Sequence, residues 1–272
     1  MMGAWLKELD DLLRGRKTEP ALLAEGTGHL SIRHLLIACI LLALIYGAFM
    51  GVYALLNRTP PCWQQFAASM AKVPALFLLT LVVTFPSLYV FSALLNARLS
   101  LAGTLRIVLA SVVITTAILA SLGPITGFFS LTTSSYPFIK LLNVAFFAAA
   151  GIIGLFILVT ILRRLETAGA TAAPPSADSK PVAVPGQDSF PAQAPAAPPP
   201  PVSPRIERSA HEDRANRVFR VWLILYALVG AQMAWVLRPF IGAPGQPFSL
   251  FRERQSNIFV EVLRTLGELL GN

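Results

Sequence analysis

Five long apolar stretches alternate with polar or charged connections along this 272-residue chain. They run Leu35–Leu56, Val73–Leu95, about Ile107–Phe129, Phe138–Leu162 and Val218–Leu237. Each meets the length of roughly 17–25 residues that a helix needs to cross a hydrocarbon layer. In lipid, backbone amides must be satisfied within their own segment, so such runs are read as helices. A soluble fold can bury one helix of this kind. Covering five would take more amphipathic helix than the chain has. The pattern predicts an all-α integral membrane bundle with about five transmembrane helices and interfacial amphipathic helices at both ends.

The two flanking helices have a different periodicity. In "AWLKELDDLLRGRK", Trp5, Leu6, Leu9, Leu12 and Leu13 fall on one helical face. Such a helix can lie on the cytoplasmic interface or pack against protein. Near the carboxyl end, Ile258, Phe259, Val262, Leu263, Leu266, Leu269 and Leu270 form an apolar stripe, with Glu261, Arg264 and Glu268 on the polar side. Ser256 or Asn257 can cap its first amides. This helix is too short to span, and fits an outer-face position on lipid or against the bundle.

Between the fifth run and that last helix lies "RPFIGAPGQPFSLFRERQSN". Pro239 disfavours continuation of the helix, and Gly242, Pro244, Gly245 and Pro247 favour turns. Trp235 and Arg238 stand where aromatic and basic anchors meet headgroups. Together with Arg252 and Arg254 they are the candidate headgroup or partner contacts. Ala168–Pro204 holds eleven prolines amid Ala, Ser and Thr, a composition too poor in apolar bulk to fold. The expected organisation is a tail over 1–34, a four-span domain over 35–165, a linker with a basic juxtamembrane segment over 166–217, the fifth span over 218–237 and a terminal segment over 238–272.

Composition agrees with the pattern. The chain is 55% hydrophobic and 13% charged, with a mean hydropathy of +0.64. Its net charge of +8 would suit nucleic acid in a soluble protein. Here the basic residues flank apolar runs, so anionic headgroups are the expected counter-charge and nucleic acid is not an expected partner. Lys and Arg are distributed unevenly. Lys7, Arg14, Arg16, Lys17 and Arg33, then Arg98 and Arg106, then Arg163, Arg164, Lys180, Arg205, Arg208, Arg214, Arg217 and Arg220 fall on one side. The other side has Arg58, Lys72, Lys140, Arg238, Arg252, Arg254 and Arg264. The positive-inside bias predicts a cytoplasmic amino terminus and a non-cytoplasmic carboxyl terminus in a bacterial inner membrane. The first run sits too far from the start, and is too long, for a cleaved signal.

Little in the runs points to chemistry. They contain no Asp or Glu, and Lys140 and Arg220 lie near enough to run ends to snorkel. Cys39 and Cys62 would lie on the order of 30 Å apart along a helix, and His29, His34 and His211 show no metal spacing. No catalytic, cofactor-binding or metal-binding residues are expected, and the chain is not expected to be an enzyme. The mild polar residues, such as Thr80, Thr84, Ser87, Ser111, Thr115, Thr116 and Asn143, fit hydrogen bonding between helices or to carbonyls freed by proline. Ala43, Gly47 and Gly51 repeat every four residues, as do Ala150 and Gly154. These small faces allow close helix packing, within the chain or between chains. The expected function is structural: binding membrane partners or a second copy, or organising the bilayer. The alternative is a channel or transporter for a neutral or apolar solute along the second and third spans.

"IYGAFMG", "KVPALFLLTLVVTFPSLYVF", "FIKLLNVAFF" and above all "QMAWVLRPFIGAPGQPF" resemble an uncharacterised bacterial and cyanobacterial multi-pass membrane family, often labelled actin-binding WH2-domain proteins. The resemblance covers about Leu35–Leu165 and Val218–Leu263 and implies a membrane location. A WH2 core would need an L-K-K-T/V-like motif after an exposed amphipathic helix. The nearest match is "LRRL" at Leu162–Leu165. "FPSLYVFSALLNARLSLAGTLRIVLAS" is weakly similar to Yip1-type proteins, which implies about five spans and a cytoplasmic amino terminus.

Overall fold

A computed structural model describes residues 2–16, 19, 30–57, 60–94, 101–171, 224–238, 240–242, 245–251 and 257–271. Among these residues there are helices and connections but no strand. The helices are α1 (Met2–Leu13), α2 (Ile32–Leu56), α3 (Trp63–Leu94), α4 (Leu101–Thr132), α5 (Tyr136–Thr171), α6 (Ile224–Val236) and α7 (Ile258–Leu270). Four of them are long and apolar enough to cross a membrane, over Ile32–Leu56, Trp63–Ser87, Ala102–Thr132 and Tyr136–Ile161. The fold is an all-helical bundle of the membrane type. The fifth expected span is described as α6, a shorter apolar helix; residues 218–223 lie outside the described residues. The proline-rich stretch expected from Ala168 begins later than that: 168–171 are the last turn of α5, and 172–217 lie outside the described residues.

Helix boundaries differ from the apolar runs in an informative way. The α3 helix begins at Trp63, well before Val73, and takes in Gln65, Ser69 and Lys72. The α4 helix begins at Leu101 and takes in Arg106. Lys72 and Arg106 therefore lie within helices and not in connections, although each stays at its expected end of the bundle. Hydropathy missed these turns because their polar side chains point at protein. Pro74, Pro86 and Pro124 are all inside helices. A break there would bare amides in lipid, which costs more than the one bond a proline removes. "LRRL" falls inside α5.

Of the four long helices, α2 is the central one. It packs along both α3 and α4, and α4 packs along α5. Tyr46 and Tyr53 of α2 are fully buried. The Tyr46 hydroxyl donates to Asn143 Oδ1 on α5 at 2.8 Å, and Asn143 Nδ2 donates to the Ile139 carbonyl at 2.8 Å. The Tyr53 hydroxyl donates to the Ser134 carbonyl at 2.8 Å, and Asn57 Nδ2 donates to the Ser130 carbonyl at 3.0 Å. Buried polar groups thus find partners across the helices, as an apolar surround demands.

The amino-terminal helix packs on protein. Leu12 is buried, and Trp5 and Leu9 pack into a cluster with Leu30, Leu35, Ile107 and Val108. Glu8 fixes the docking. Its Oε1 accepts from the Ser31 amide at 2.8 Å, and its Oε2 lies 2.7 Å from His34 Nδ1. The Ser31 side chain makes no capping bond, so a carboxylate from α1 serves the start of α2, where the helix dipole favours negative charge.

Candidate functional site

The opposite end of the bundle holds the densest set of long-range polar contacts. It is built from the first turns of α3. Gln65, Ser69 and Lys72 are spaced at i, i+4 and i+7, which places them on one helical face. All three are buried, and all three donate to main-chain carbonyls of the segment after α6. Gln65 Nε2 donates to the Phe240 carbonyl at 2.9 Å. Ser69 Oγ donates to the same carbonyl and to the Gln65 carbonyl. Lys72 Nζ donates to the Leu250 carbonyl and stands 5.4 Å from the centre of the Phe251 ring. From α5, the Tyr136 hydroxyl donates to the Ile241 carbonyl at 3.4 Å. Phe240 packs beside Phe147, with ring centres 6.4 Å apart. Gly245 takes the left-handed backbone, φ 74°, that turns the segment over.

The last helix is attached at the same end. Asn257 Oδ1 accepts from the Val260 amide at 3.0 Å, and Gly271 closes the helix with φ 87°. Lys140 of α5 donates to Glu261 Oε1 at 2.5 Å and to Thr265 Oγ1 at 2.8 Å. Burial pushes the Glu261 carboxyl up, but the bond and charge of Lys140, with the charges of Arg238 and Arg264, outweigh it and hold the group below its ordinary value. Lys140 was expected to snorkel; it is instead paired within the protein.

The residues singled out from sequence fall into three groups. Ala43 is fully buried. A Cβ at Gly47 would lie 2.8 Å from the Ser69 carbonyl oxygen and 2.9 Å from Met70 Cα. At Gly51 it would meet the Phe66 ring at 2.9 Å. This small-residue face is therefore the contact between α2 and α3. Ala150 is fully buried, and a Cβ at Gly154 would lie 1.8 Å from Thr115 Oγ1. Ser111 Oγ donates to the Gly154 carbonyl at 2.8 Å, so the second face joins α4 to α5. Both faces serve packing within one chain. Trp235 and Arg238 meet each other, with the guanidinium carbon 3.7 Å from the ring centre, a stacked cation–π geometry. Arg252 and Arg254 lie outside the described residues.

Sequence reasoning passed over several residues that the structure brings together. Gln65, Ser69 and Lys72 read as connection by hydropathy, though their spacing on one helical face was a usable signal. Gly123 and Gly127 repeat at the same interval as the faces above, and Cβ atoms there would lie 2.5 and 2.9 Å from the Phe49 ring. Of the mild hydroxyls, Ser111 crosses between helices. Thr84, Thr115, Thr116 and Ser121 donate to carbonyls three or four residues back in their own helices, and none of those carbonyls is one that a proline frees.

This end of the bundle is chemically a clasp. Its donors are engaged with carbonyls and carboxylate of the same chain. Among the described residues there is no group of three or more His, Cys, Asp or Glu placed to hold a metal ion, and Cys39 and Cys62 are free thiols. No family model, curated protein or solved structure matches the chain.

Proposed function

We propose that the chain is a non-enzymatic, multi-pass membrane protein that organises or binds partners within the bilayer, with its amino terminus in the cytoplasm of a bacterium and its carboxyl terminus outside. The observation that supports partner binding best is the outward face of α5. Only 22% of the apolar window of α5 is buried, against 44–61% for the other three spans. Ala145, Ala149, Ile152 and Phe156 stand exposed at i, i+4, i+7 and i+11, a stripe of small residues leading to large ones. That shape admits a neighbouring helix, from a second copy or another membrane protein, in close contact. Buried Tyr46, Ser111 and Asn143, by contrast, bond between this chain's own helices.

Purification of the full chain in mild detergent tests this reading. The expected result is a defined self-assembly or a stoichiometric membrane partner that dissociates on Ala149→Leu. A monomer that recovers no partner across several detergents removes the reading. Reporter fusions after Asn57, within 172–204 and after Asn272 test the orientation, and a cytoplasmic signal after Asn272 overturns it.

A path for a neutral or apolar solute is the second reading. It is favoured by Thr80 Oγ1, which is buried and has no hydrogen-bond partner among the described residues, one turn from Thr84. Solute flux into vesicles that is lost on Thr84→Val or Thr115→Val would support it. Flux equal to that of empty vesicles would remove it.

A further inference from the structure

We infer that α7 is seated in the outer interfacial layer of the bilayer, with a lipid surface as the partner of its apolar face. Its side chains divide into three sectors. Ile258, Glu261, Val262 and Thr265 are covered, wholly or in part, on the side where α7 packs on α5. Phe259, Leu263, Leu266 and Leu270 are exposed. Arg264 and Glu268 are also exposed and pair with each other at 3.2 Å. At about 100° per residue the apolar sector points about 120° from the covered one and about 150° from the charged one; Leu269, at the end of the helix on the covered side, is also exposed. One faces protein, one is apolar and one is charged; Val260 lies between the last two in the first turn.

The division of the free surface is what identifies the partner. A helix standing in water would leave Leu263, 68% exposed, with nothing to cover it. A helix covered by another protein subunit has no need to keep a charged sector directed away from its apolar one. A boundary between acyl chains and water requires both sectors, in this arrangement.

The depth agrees. Lys140, which holds Glu261 and Thr265, lies inside the candidate span Tyr136–Ile161. It is four residues below the start of that span, about 6 Å along the axis. Interfacial helices settle their apolar faces about 5–10 Å into the headgroup boundary. The protein-facing sector of α7, through Glu261 and Thr265, thus neutralises the one lysine of α5 at the level where the apolar sector meets lipid. The inference rests on the membrane reading of the fold but on no partner protein.

The test uses the full chain with Cys39→Ala and Cys62→Ala, reconstituted in phosphatidylcholine vesicles and spin-labelled at Leu263→Cys or Glu268→Cys. Collisional access is measured for oxygen, which enters lipid, and for a water-soluble nickel chelate. At position 263 oxygen access should exceed chelate access severalfold, and at 268 the order should reverse. Chelate access dominating at 263, or a site closed to both reagents, overturns the inference. Leu266→Cys on the same face replaces Leu263→Cys should that variant fail to fold. Vesicle flotation is run alongside: a chain that does not float refutes the membrane reading itself, whereas one that floats with a water-exposed 263 refutes only the placement of α7.

Discussion

Two glycine-to-alanine changes should have opposite effects, and their difference measures how tightly α2 and α3 are packed. At Gly47 a Cβ would lie 2.8 Å from the Ser69 carbonyl oxygen and 2.9 Å from Met70 Cα. Both are backbone atoms of α3, so no side chain can swing aside. Restoring ordinary contact, about 3.4–4 Å, requires the helices to part by roughly 0.5–1 Å, and overpacking on that scale costs about 1–3 kcal/mol. At Gly151 a Cβ meets nothing within 4 Å. Each change brings the same gain in helix propensity, close to 1 kcal/mol. That term cancels in the comparison. Gly47→Ala should therefore be less stable than Gly151→Ala by about 1–3 kcal/mol, a five- to 150-fold difference in the folded-to-unfolded ratio at ~1.4 kcal/mol per factor of ten. Titration of mixed micelles with a denaturing detergent, followed by circular dichroism, reads this difference. Equal midpoints for the two variants would refute the close approach of α2 to α3.

Three further outcomes are expected. The Glu261 carboxyl is held below its ordinary value of 4.5, so its contribution to docking α7 is complete above that value and is lost as pH falls through the lower folded one; protection of the Val262–Leu269 amides, taken relative to their intrinsic exchange rates, should fall in that acid range, and Glu261→Gln should flatten the profile. Glu8→Ala removes the carboxylate's bond to the Ser31 amide, worth about 1.5–3 kcal/mol, and its half-exposed pair with His34; the Ser31 bond alone should speed exchange of the Trp5–Leu12 amides by about ten- to 150-fold, and unchanged exchange would show that Leu12 and its neighbours hold α1 alone. Gln65→Ala leaves Ser69 on the Phe240 carbonyl, whereas Gln65→Ala with Ser69→Ala strips that part-buried acceptor of both donors, at up to about 1–3 kcal/mol; protease access to 240–251 should therefore rise more in the double variant than the two single effects combined.

What sequence made legible here is what local chemistry decides. The lengths of the apolar runs announce α2 to α5, since nothing but a helix satisfies its own amides in lipid. The interval of Gly47 and Gly51 marks a close contact because that interval defines a helix face. Asn257 caps α7 because its side chain reaches only three residues. What stayed hidden depends on distance along the chain. Glu8 and His34 are 26 residues apart, and no pattern in either segment says that they meet, so α1 could not be assigned to lipid or protein beforehand. Lys140 and Glu261 are 121 apart; read alone, each is an ordinary charge near a helix end. The first turns of α3 were misplaced for a related reason. A polar face is ambiguous between water and carbonyls, and only the folded chain shows which it meets.

The clasp also has a timing. Gln65 and Phe240 are separated by 175 residues. At a synthesis rate of roughly 5–20 residues per second, Gln65 is made on the order of 10–35 s before the carbonyl that receives it. Throughout that interval α2 to α5 can insert and pack, while Gln65, Ser69 and Lys72 lack the acceptors of the finished fold. A chain cut short before Phe240 never acquires them. It keeps the Gln65 amide and the Lys72 ammonium without the Phe240 and Leu250 carbonyls, while Ser69 Oγ retains the Gln65 carbonyl. The polarity of one helix face thus differs between a chain that has reached Phe240 and Leu250 and one that has not.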